Sequence, residues 1–445
     1  MSVTITDAKI LLRGKLTEGA ISIQDGRIER IGKTSILRKS GTKINGKGLI
    51  AIPGLIDAHV HLRDMELAYK EDFSSGTLAA AAGGFTTVLD MPNTKPPTSS
   101  RERLLEKIEK AKPTIHVNVG FYATLAETAA ELREMVHAGA VAFKLYMNDP
   151  GPDAWHRDNR RLLSSLKECS SLRARVVCHA ENGSAVAKIQ QECEASRKNS
   201  IQDFLRAHAS TFEAEAVRAI TGLAGRSHSR VHVCHLSTQQ ALGEISRARR
   251  RGTNVTCEVT PHHLFLDRKD LNRKGGLAVM VPPLRRPSDT KALWKAMLRR
   301  QVEMISSDHA PHTLEEKTAR DVWAVRSGIP GLETTLPLLL TRVHRGDLTW
   351  ARLVQVLAEN PARIFGLDAK GRLANEMDGD LVLVDPKERF RIDSSSFRSK
   401  AHFSPFDGVE CIGRPVTTIV SGHVVYDRGE VVEKNRGKIL TSKVS

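Results

Sequence analysis

From Ile52 to Ala310, short apolar runs alternate with amphipathic stretches, and this alternation limits the folds open to the chain more than any other feature. The runs are IPGLIDAHVHL (52–62), FTTVLDMPN (85–93), IHVNVGFYA (115–123), AVAFKLYM (140–147), ARVVCHAE (174–181), RVHVCHLS (230–237), NVTCEVTPHH (254–263) and VEMISSDHA (302–310). Eight strands with helices between them is the count of a closed parallel barrel. The intervening segments suit helices: SRERLLEKIEKA (100–111) opens on a serine cap and repeats apolar residues at helical spacing, and ETAAELREMVHAG and TKALWKAMLRR follow the same pattern. The expected fold class is therefore α/β, a (β/α)8 TIM-type barrel over residues 53–372.

Outside that span the pattern changes. ITDAKILLRG and GAISIQDGRIERIG, and later GDLVLVDP and RPVTTIVSGHVVYDRGEVV, read as strands joined by Gly and Asp turns. Residues 1–52 and 373–445 are expected to form one small β-sandwich-like domain built from both termini. At 445 residues the chain is long enough for a barrel with such an appendage, and no repeat or low-complexity segment interrupts it.

Charge and cysteine usage exclude several classes of function. The formal charge of +16 raises the question of a polyanion, but the basic residues are spread along the chain and aromatics are 4%, which leaves few stacking platforms for bases. A solvated basic surface, able to dock an acidic partner, is expected rather than nucleic-acid binding. No apolar stretch approaches the ~18 residues of a membrane span, and the N-terminus lacks a basic segment followed by an apolar one, so the expectation is a cytoplasmic protein with no membrane contact. The six cysteines show no CxxC pairing and are expected as reduced core thiols. Cys178 and Cys234 each precede a histidine, so strand alternation would turn them away from whatever the histidines face.

Ionisable residues recur at the C-terminal ends of the expected strands, the catalytic face of such a barrel. His59 and His61 stand at i and i+2 and can share a face, with Arg63 following at the rim. His179, His235 and Asp308 end three further strands. Taken singly each is more simply a hydrogen-bonded core histidine or a capping aspartate. Together they are hard to explain by packing, because buried ionisable groups are costly unless paired or metal-bound. Lys144 lies in an otherwise apolar run. It can snorkel to the barrel end, or, buried near cations, lose its proton and take up CO2 as a carbamate whose two oxygens can bridge two metals.

The segments DAHVHLRD, DMPNT, FKLYMN, HAEN, HLST, EVTPHHL, SDHAPHTLEEK, PGLETTLPLLLT and SPFDG follow one another over almost the whole chain, and in that order they resemble the dihydroorotases of the amidohydrolase superfamily. The resemblance implies that His59, His61 and Asp308 hold the more buried of two divalent ions, that His179 and His235 hold the second, and that a CO2-derived carbamate on Lys144 lies between them. Zinc is the expected identity, although imidazole and carboxylate ligands also accept manganese or cobalt. Lysine here resembles the carbamate-bridged members, whereas some bacterial relatives use an aspartate from a neighbouring position. The implied activity is the reversible cyclisation of N-carbamoyl-L-aspartate to L-dihydroorotate in pyrimidine biosynthesis, with Asp308 as general base and then general acid. Arg63, Asn93 and His312 match positions that bind the substrate α-carboxylate, and the GIPGL segment, through Pro330 and Gly331, is expected to close the pocket by backbone contact.

Where many bacterial relatives have an asparagine before Pro-Pro, this chain has Val281, so that contact must come from backbone, Arg285 or another loop. The loop Asn148, Asp149, Pro150, Gly151, Pro152 stands where relatives carry a lid. His262 and His263 belong to the motif without a ligand role. Two other readings share these residues. One is an allantoinase or hydantoinase, which Arg63 and Asn93 disfavour by implying a free carboxylate on the substrate. The other is a non-catalytic partner of aspartate transcarbamoylase, which would be expected to have lost ligand positions that are all filled here. A homodimer and an association with aspartate transcarbamoylase are the assemblies the resemblance suggests.

Overall fold

The structure, a computed structural model, describes residues 2–33, 41–149 and 154–441. Eight parallel strands follow in chain order: β1 (Leu55–Val60), β2 (Phe85–Asp90), β3 (Asn118–Thr124), β4 (Ala142–Tyr146), β5 (Arg175–His179), β6 (Arg230–Val233), β7 (Val255–Val259) and β8 (Met304–Ile305). Each pairs with the next. The ends of the sheet meet where Val60 bridges His309 in parallel and the His61 amide donates to the His309 carbonyl at 2.8 Å. A second tie is the Asp57 carboxylate, which accepts the Ser307 amide at 3.0 Å. The expected barrel is present, and its last strand is short because the chain bends into the site soon after Ile305.

Helices cover the outside of the sheet. Arg101–Ala111 starts where the Ser100 hydroxyl accepts the Arg103 amide, as the sequence suggested, and Ala129–His137 begins on a reciprocal pair between Thr128 and Glu131. Their apolar faces pack with the outward residues of the strands into one large core. A smaller cluster fills the barrel interior: Ala58, Leu89, Tyr122, Val177, Cys234 and Met304.

Both ends of the chain contribute to a second sheet, in the order 430–431, 423–427, 410–420, 381–391, 50–53, 2–12, 15–24 and 27–32, with 42–45 beside 2–12. The run 52–62 thus divides at Gly54, since Ile50–Pro53 pairs with Leu381–Val384 in this sheet and Leu55 opens the barrel. Strand Ser2–Leu12 slips register between Ile5 and Ala8, where Asp7 has φ 57°, so its two halves serve different neighbours, 42–45 and 50–53. The last described residues leave this sheet: Ile439–Leu440 runs parallel to β3 beside Val119 and Gly120. Among the described residues no helix is long and apolar enough to cross a membrane.

Candidate active site

The six ionisable residues at the strand ends line one cavity of about 430 Å³, together with Arg63, Asn93 and His312. His59 and His61 place their rings 5.3 Å apart, His59 and His235 are at the same distance, and His179 and His235 are at 4.4 Å. Asp308 Oδ1 stands 3.3 Å from His59 Nε2 and 3.2 Å from His61 Nε2. Donor atoms of His59, His235 and Asp308 lie within 4.8 Å of one another, close enough to share an ion.

The backbone bends at the rim to bring these groups in. His235 and Asp308 have φ 33° and 47°, and Arg63, Asp64 and Met65 form a left-handed run at 57°, 52° and 53°. Non-glycine residues in this region carry strain of order 1 kcal/mol or more each, which persists only where surrounding structure enforces it. Around Arg63 the enforcer is Asp64, whose carboxylate accepts the amides of Met65 and Phe73.

This bending corrects one expectation. Cys234 was expected to point away from the site, yet its Sγ lies 3.0 Å from Lys144 Nζ, inside the barrel. The ladder of β6 ends at Val233, so alternation no longer governs His235, whose left-handed conformation swings it to the same side as Cys234. Cys178 does pack on the outer face, and burial pushes its thiol up to about 12. All six cysteines are free and buried.

The electrostatics favour neutral imidazole, the form that binds metal. Burial holds His59 and His179 below the ordinary value and His61 and His235 well below it, with Arg63 adding to the effect on His61 and His179 on His235. The tautomers are set from behind. His59 Nδ1 is 2.5 Å from Glu258 Oε1 and His61 Nδ1 is 2.6 Å from Asn93 Oδ1, which leaves both Nε2 atoms turned to Asp308. Burial opposes the charge on Glu258, but His59 and His232 outweigh it and keep that carboxyl well below its usual range. Glu181 plays a similar part, accepting His208 Nδ1 at 2.9 Å and lying 3.6 Å from His179 Nε2. Burial also raises the Asp308 carboxyl. Lys144 is 1% exposed, and no carboxylate among the described residues forms an ion pair with it; its Nζ meets Cys234 Sγ and, at 5.2 Å, the Tyr146 ring.

Beside this cluster the Arg63 guanidinium is buried and likewise has no carboxylate partner among the described residues. It donates to the Pro311 carbonyl at 3.2 Å and stands 3.1 Å from His312 Nε2. Burial, then Arg63 and Lys70, drive His312 down to about 2, so it is neutral at physiological pH. Asn93 also lines the cavity; its oxygen is taken by His61 Nδ1, which leaves its amide nitrogen as the remaining donor.

Pro330 and Gly331 are not on the cavity wall. Gly331 N donates to His309 Nδ1 behind it, and of the GIPGL segment only Gly328 reaches the wall. Val281 does line the cavity, whereas Arg285 is engaged elsewhere, on Ser237 Oγ at 2.9 Å and the His208 carbonyl. Asn148 also lines the wall, while Pro150, Gly151 and Pro152 of the expected lid lie outside the described residues. Sequence reasoning passed over Glu258, Tyr146, Trp323 and Arg326. An acidic residue inside the apolar run NVTCEVTPHH was the available signal for Glu258; nothing local marks Trp323 or Arg326, which a distant loop brings to the mouth.

The amidohydrolase family profile matches residues 50–425. A dihydroorotase of Methanothermobacter thermautotrophicus is 40% identical over 415 residues, 93% of this chain and 92% of its own, and one of Methanosarcina mazei is 34% identical over 99% of this chain and 98% of its own. Among solved structures, an L-hydantoinase (dihydropyrimidinase) from Arthrobacter aurescens superposes with TM-score 0.93 at 32% identity, covering 99% of each chain. A D-hydantoinase (dihydropyrimidinase) from Thermus sp. gives the same TM-score at 27% identity and the same coverage.

Proposed function

This chain belongs to the amidohydrolase family, and from that premise we propose that it is a dihydroorotase, interconverting N-carbamoyl-L-aspartate and L-dihydroorotate plus water. The observation that carries the choice of substrate is Arg63: a buried guanidinium, without a carboxylate partner among the described residues, open to the cavity that holds the histidine cluster. A fork of this kind binds a carboxylate through two parallel hydrogen bonds. Dihydroorotate has such a group beside its ring, and hydantoin has none.

The donor set fits two divalent cations. His59, His61 and Asp308 would hold one, His179 and His235 the other, and Lys144 would span them as a carbamate, formed when its Nζ lone pair adds to CO2 and a proton leaves. Complete burial without a counter-ion among the described residues supports that reading of Lys144, because a carbamate pairs with cations where an ammonium would repel them. Bound ions of this kind supply an activated water and polarise a carbonyl oxygen.

The chain's own residues do the rest. Arg63, Asn93 Nδ2 and His312 fix the substrate carboxylate and with it the ring, which turns an encounter between free reactants into one between positioned groups. Asp308, surrounded by imidazoles and raised by burial, takes a proton and returns it to the ring nitrogen as the amide opens. In the closing direction it takes the ureido proton as that nitrogen joins the side-chain carboxyl carbon and water departs. Glu258 and Asn93 keep His59 and His61 in the tautomer that leaves Nε2 free. Incubating the metal-replete protein with dihydroorotate, allantoin and hydantoin in parallel tests the assignment. Turnover of dihydroorotate is expected; turnover of hydantoin or allantoin alone would overturn it.

A further inference from the structure

His312, on the cavity wall, meets two pairs of groups that make opposite demands on its ring. Its Nε2 stands 3.1 Å from Arg63 Nη2, which can only donate, and 3.0 Å from the Ser327 carbonyl, which can only accept. Its Nδ1 stands 3.1 Å from Lys70 Nζ, again a donor, and 3.2 Å from Glu316 Oε2, again an acceptor. A neutral imidazole carries one N–H, so the four contacts cannot all be hydrogen bonds at once. With the proton on Nε2, His312 donates to Ser327 and accepts from Lys70. With the proton on Nδ1, it donates to Glu316 and accepts from Arg63.

We propose that Lys70 is a positioning residue for recognition of the substrate carboxylate: by donating to His312 Nδ1 it holds the ring proton on Nε2, beside Arg63. This rests on the dihydroorotase reading and deepens it. The two tautomers are unequal because Glu316 is served without His312. Its Oε1 receives Lys70 Nζ at 2.7 Å and the Tyr69 hydroxyl at 3.3 Å, and its Oε2 receives the Thr313 amide at 3.1 Å. Burial opposes the charge on that carboxyl, but Lys70 and the Thr313 amide outweigh it and hold it down to about 2. Lys70 reaches Nδ1 because the loop after Arg63 closes on itself: the Asp64 amide donates to the Glu71 carbonyl at 3.0 Å and the Lys70 amide to the Leu67 carbonyl at 2.9 Å. The two ends of that loop thus bring Arg63 and Lys70 to opposite nitrogens of one ring.

The tautomer decides what Arg63 can offer. With the proton on Nδ1, Nε2 takes a hydrogen bond from Arg63 Nη2 and withdraws one arm of the fork from the cavity. With the proton on Nε2, that arm is released and the ring presents an N–H of its own at the same point. A carboxylate, which only accepts, then meets the guanidinium and an imidazole donor together. A carboxamide in its place would set its own NH2 group against one of them. Lys70 is buried and off the cavity wall, so it reaches the substrate through His312.

Steady-state kinetics of the metal-replete protein tests the proposal together with nitrogen-15 spectroscopy of labelled histidines, in which the His312 signals are those lost in His312→Asn. The parent should carry its His312 proton on Nε2, a measurement that needs no variant at Lys70. Lys70→Met should move that proton to Nδ1 and raise KM for dihydroorotate at least about 10-fold, as when a hydrogen bond to a charged group is lost, with a smaller change in kcat. In the His312→Asn background, Lys70→Met should leave KM where it was, because a residue that acts through another is not additive with it. A role through charge or packing alone would keep its effect in that background. The proposal is overturned if the parent proton sits on Nδ1, if Lys70→Met leaves the proton and KM unmoved, or if Lys70→Met keeps its full effect beside His312→Asn. A parent that turns over no dihydroorotate overturns the functional reading instead, and the place of the His312 proton in the parent and in Lys70→Met still decides the role of Lys70.

Discussion

His59 shows how a single side chain is committed to one role by what stands behind it. Its Nδ1 bonds to Glu258 across 199 residues of sequence, so Nε2 is the only nitrogen left for the cavity. Replacing Glu258 with Gln keeps the shape but removes the charge that fixes this tautomer. Metal affinity should fall by about 10–100-fold, the usual effect of losing such a support, and competition with a chelator measures it. Lys144→Ala removes the side chain proposed to span both donor sets. It should leave a protein depleted of metal, with kcat/KM lower by roughly a thousandfold, as when one member of an interdependent catalytic unit is deleted. Metal analysis beside the assay separates this from unfolding. At Arg63, Lys keeps the charge and loses the fork. Arg63→Lys should raise KM for dihydroorotate about 10-fold with a smaller change in kcat, because carboxylate binding is shared by the ground and transition states.

At the level of elements, the part of the cavity wall formed by residues 280–281 and 325–328 comes from segments with no regular structure, and Lys317 joins them. This fully buried ammonium donates to the carbonyls of Val279, Arg326 and Gly328 at 2.8, 2.7 and 2.9 Å, tying the strip before Val281 to the loop carrying Arg326. Burial presses its titration down to about 7, and the Glu316 carboxylate works against that pressure. Lys317→Met should fill the volume and leave three carbonyls without donors. We expect a stability loss of about 2–4 kcal/mol and a raised KM, read by denaturant unfolding and steady-state kinetics. The barrel strands are the opposite case. His59, Lys144 and His179 lie within β1, β4 and β5, but the ladders of β6 and β8 stop short of His235 and Asp308, which take left-handed conformations that a strand would forbid.

Over the whole molecule, the barrel and the terminal sheet are locked by Asp380. Its carboxylate accepts from Lys370 Nζ at 2.5 Å, from Asn118 Nδ2 of β3 at 3.0 Å and from the Ser421 amide at 2.6 Å, while its carbonyl takes the Gly54 amide at the crossing between the two sheets. Burial disfavours the Lys370 ammonium, yet Asp380 and Asp378 raise it above 10.5. A raised lysine contributes stability that is complete below its unfolded value and is lost as pH climbs through its folded one. Asp380→Asn should therefore cost about 3–5 kcal/mol, the effect of stranding a buried partner. The gap in Tm from the parent should hold constant from neutral pH to about 10 and narrow only above 10.5.

Much of this was legible in the chain. The eight apolar runs, the cap at Ser100 and the ionisable residues at the strand ends are local signals, since strand burial and helix capping depend on neighbours a few positions away. Sequence therefore determined the barrel, the two-ended sheet and the identity of the side chains at the catalytic face. The side to which Cys234 points, the nitrogen His59 presents, the place of Gly331 behind His309 and the meeting of Arg63 and Lys70 on opposite nitrogens of His312 were decided only by the closed tertiary structure. Each depends on a contact between segments whose separation in sequence carries no period, and barrel closure fixes such contacts only when Val60 meets His309.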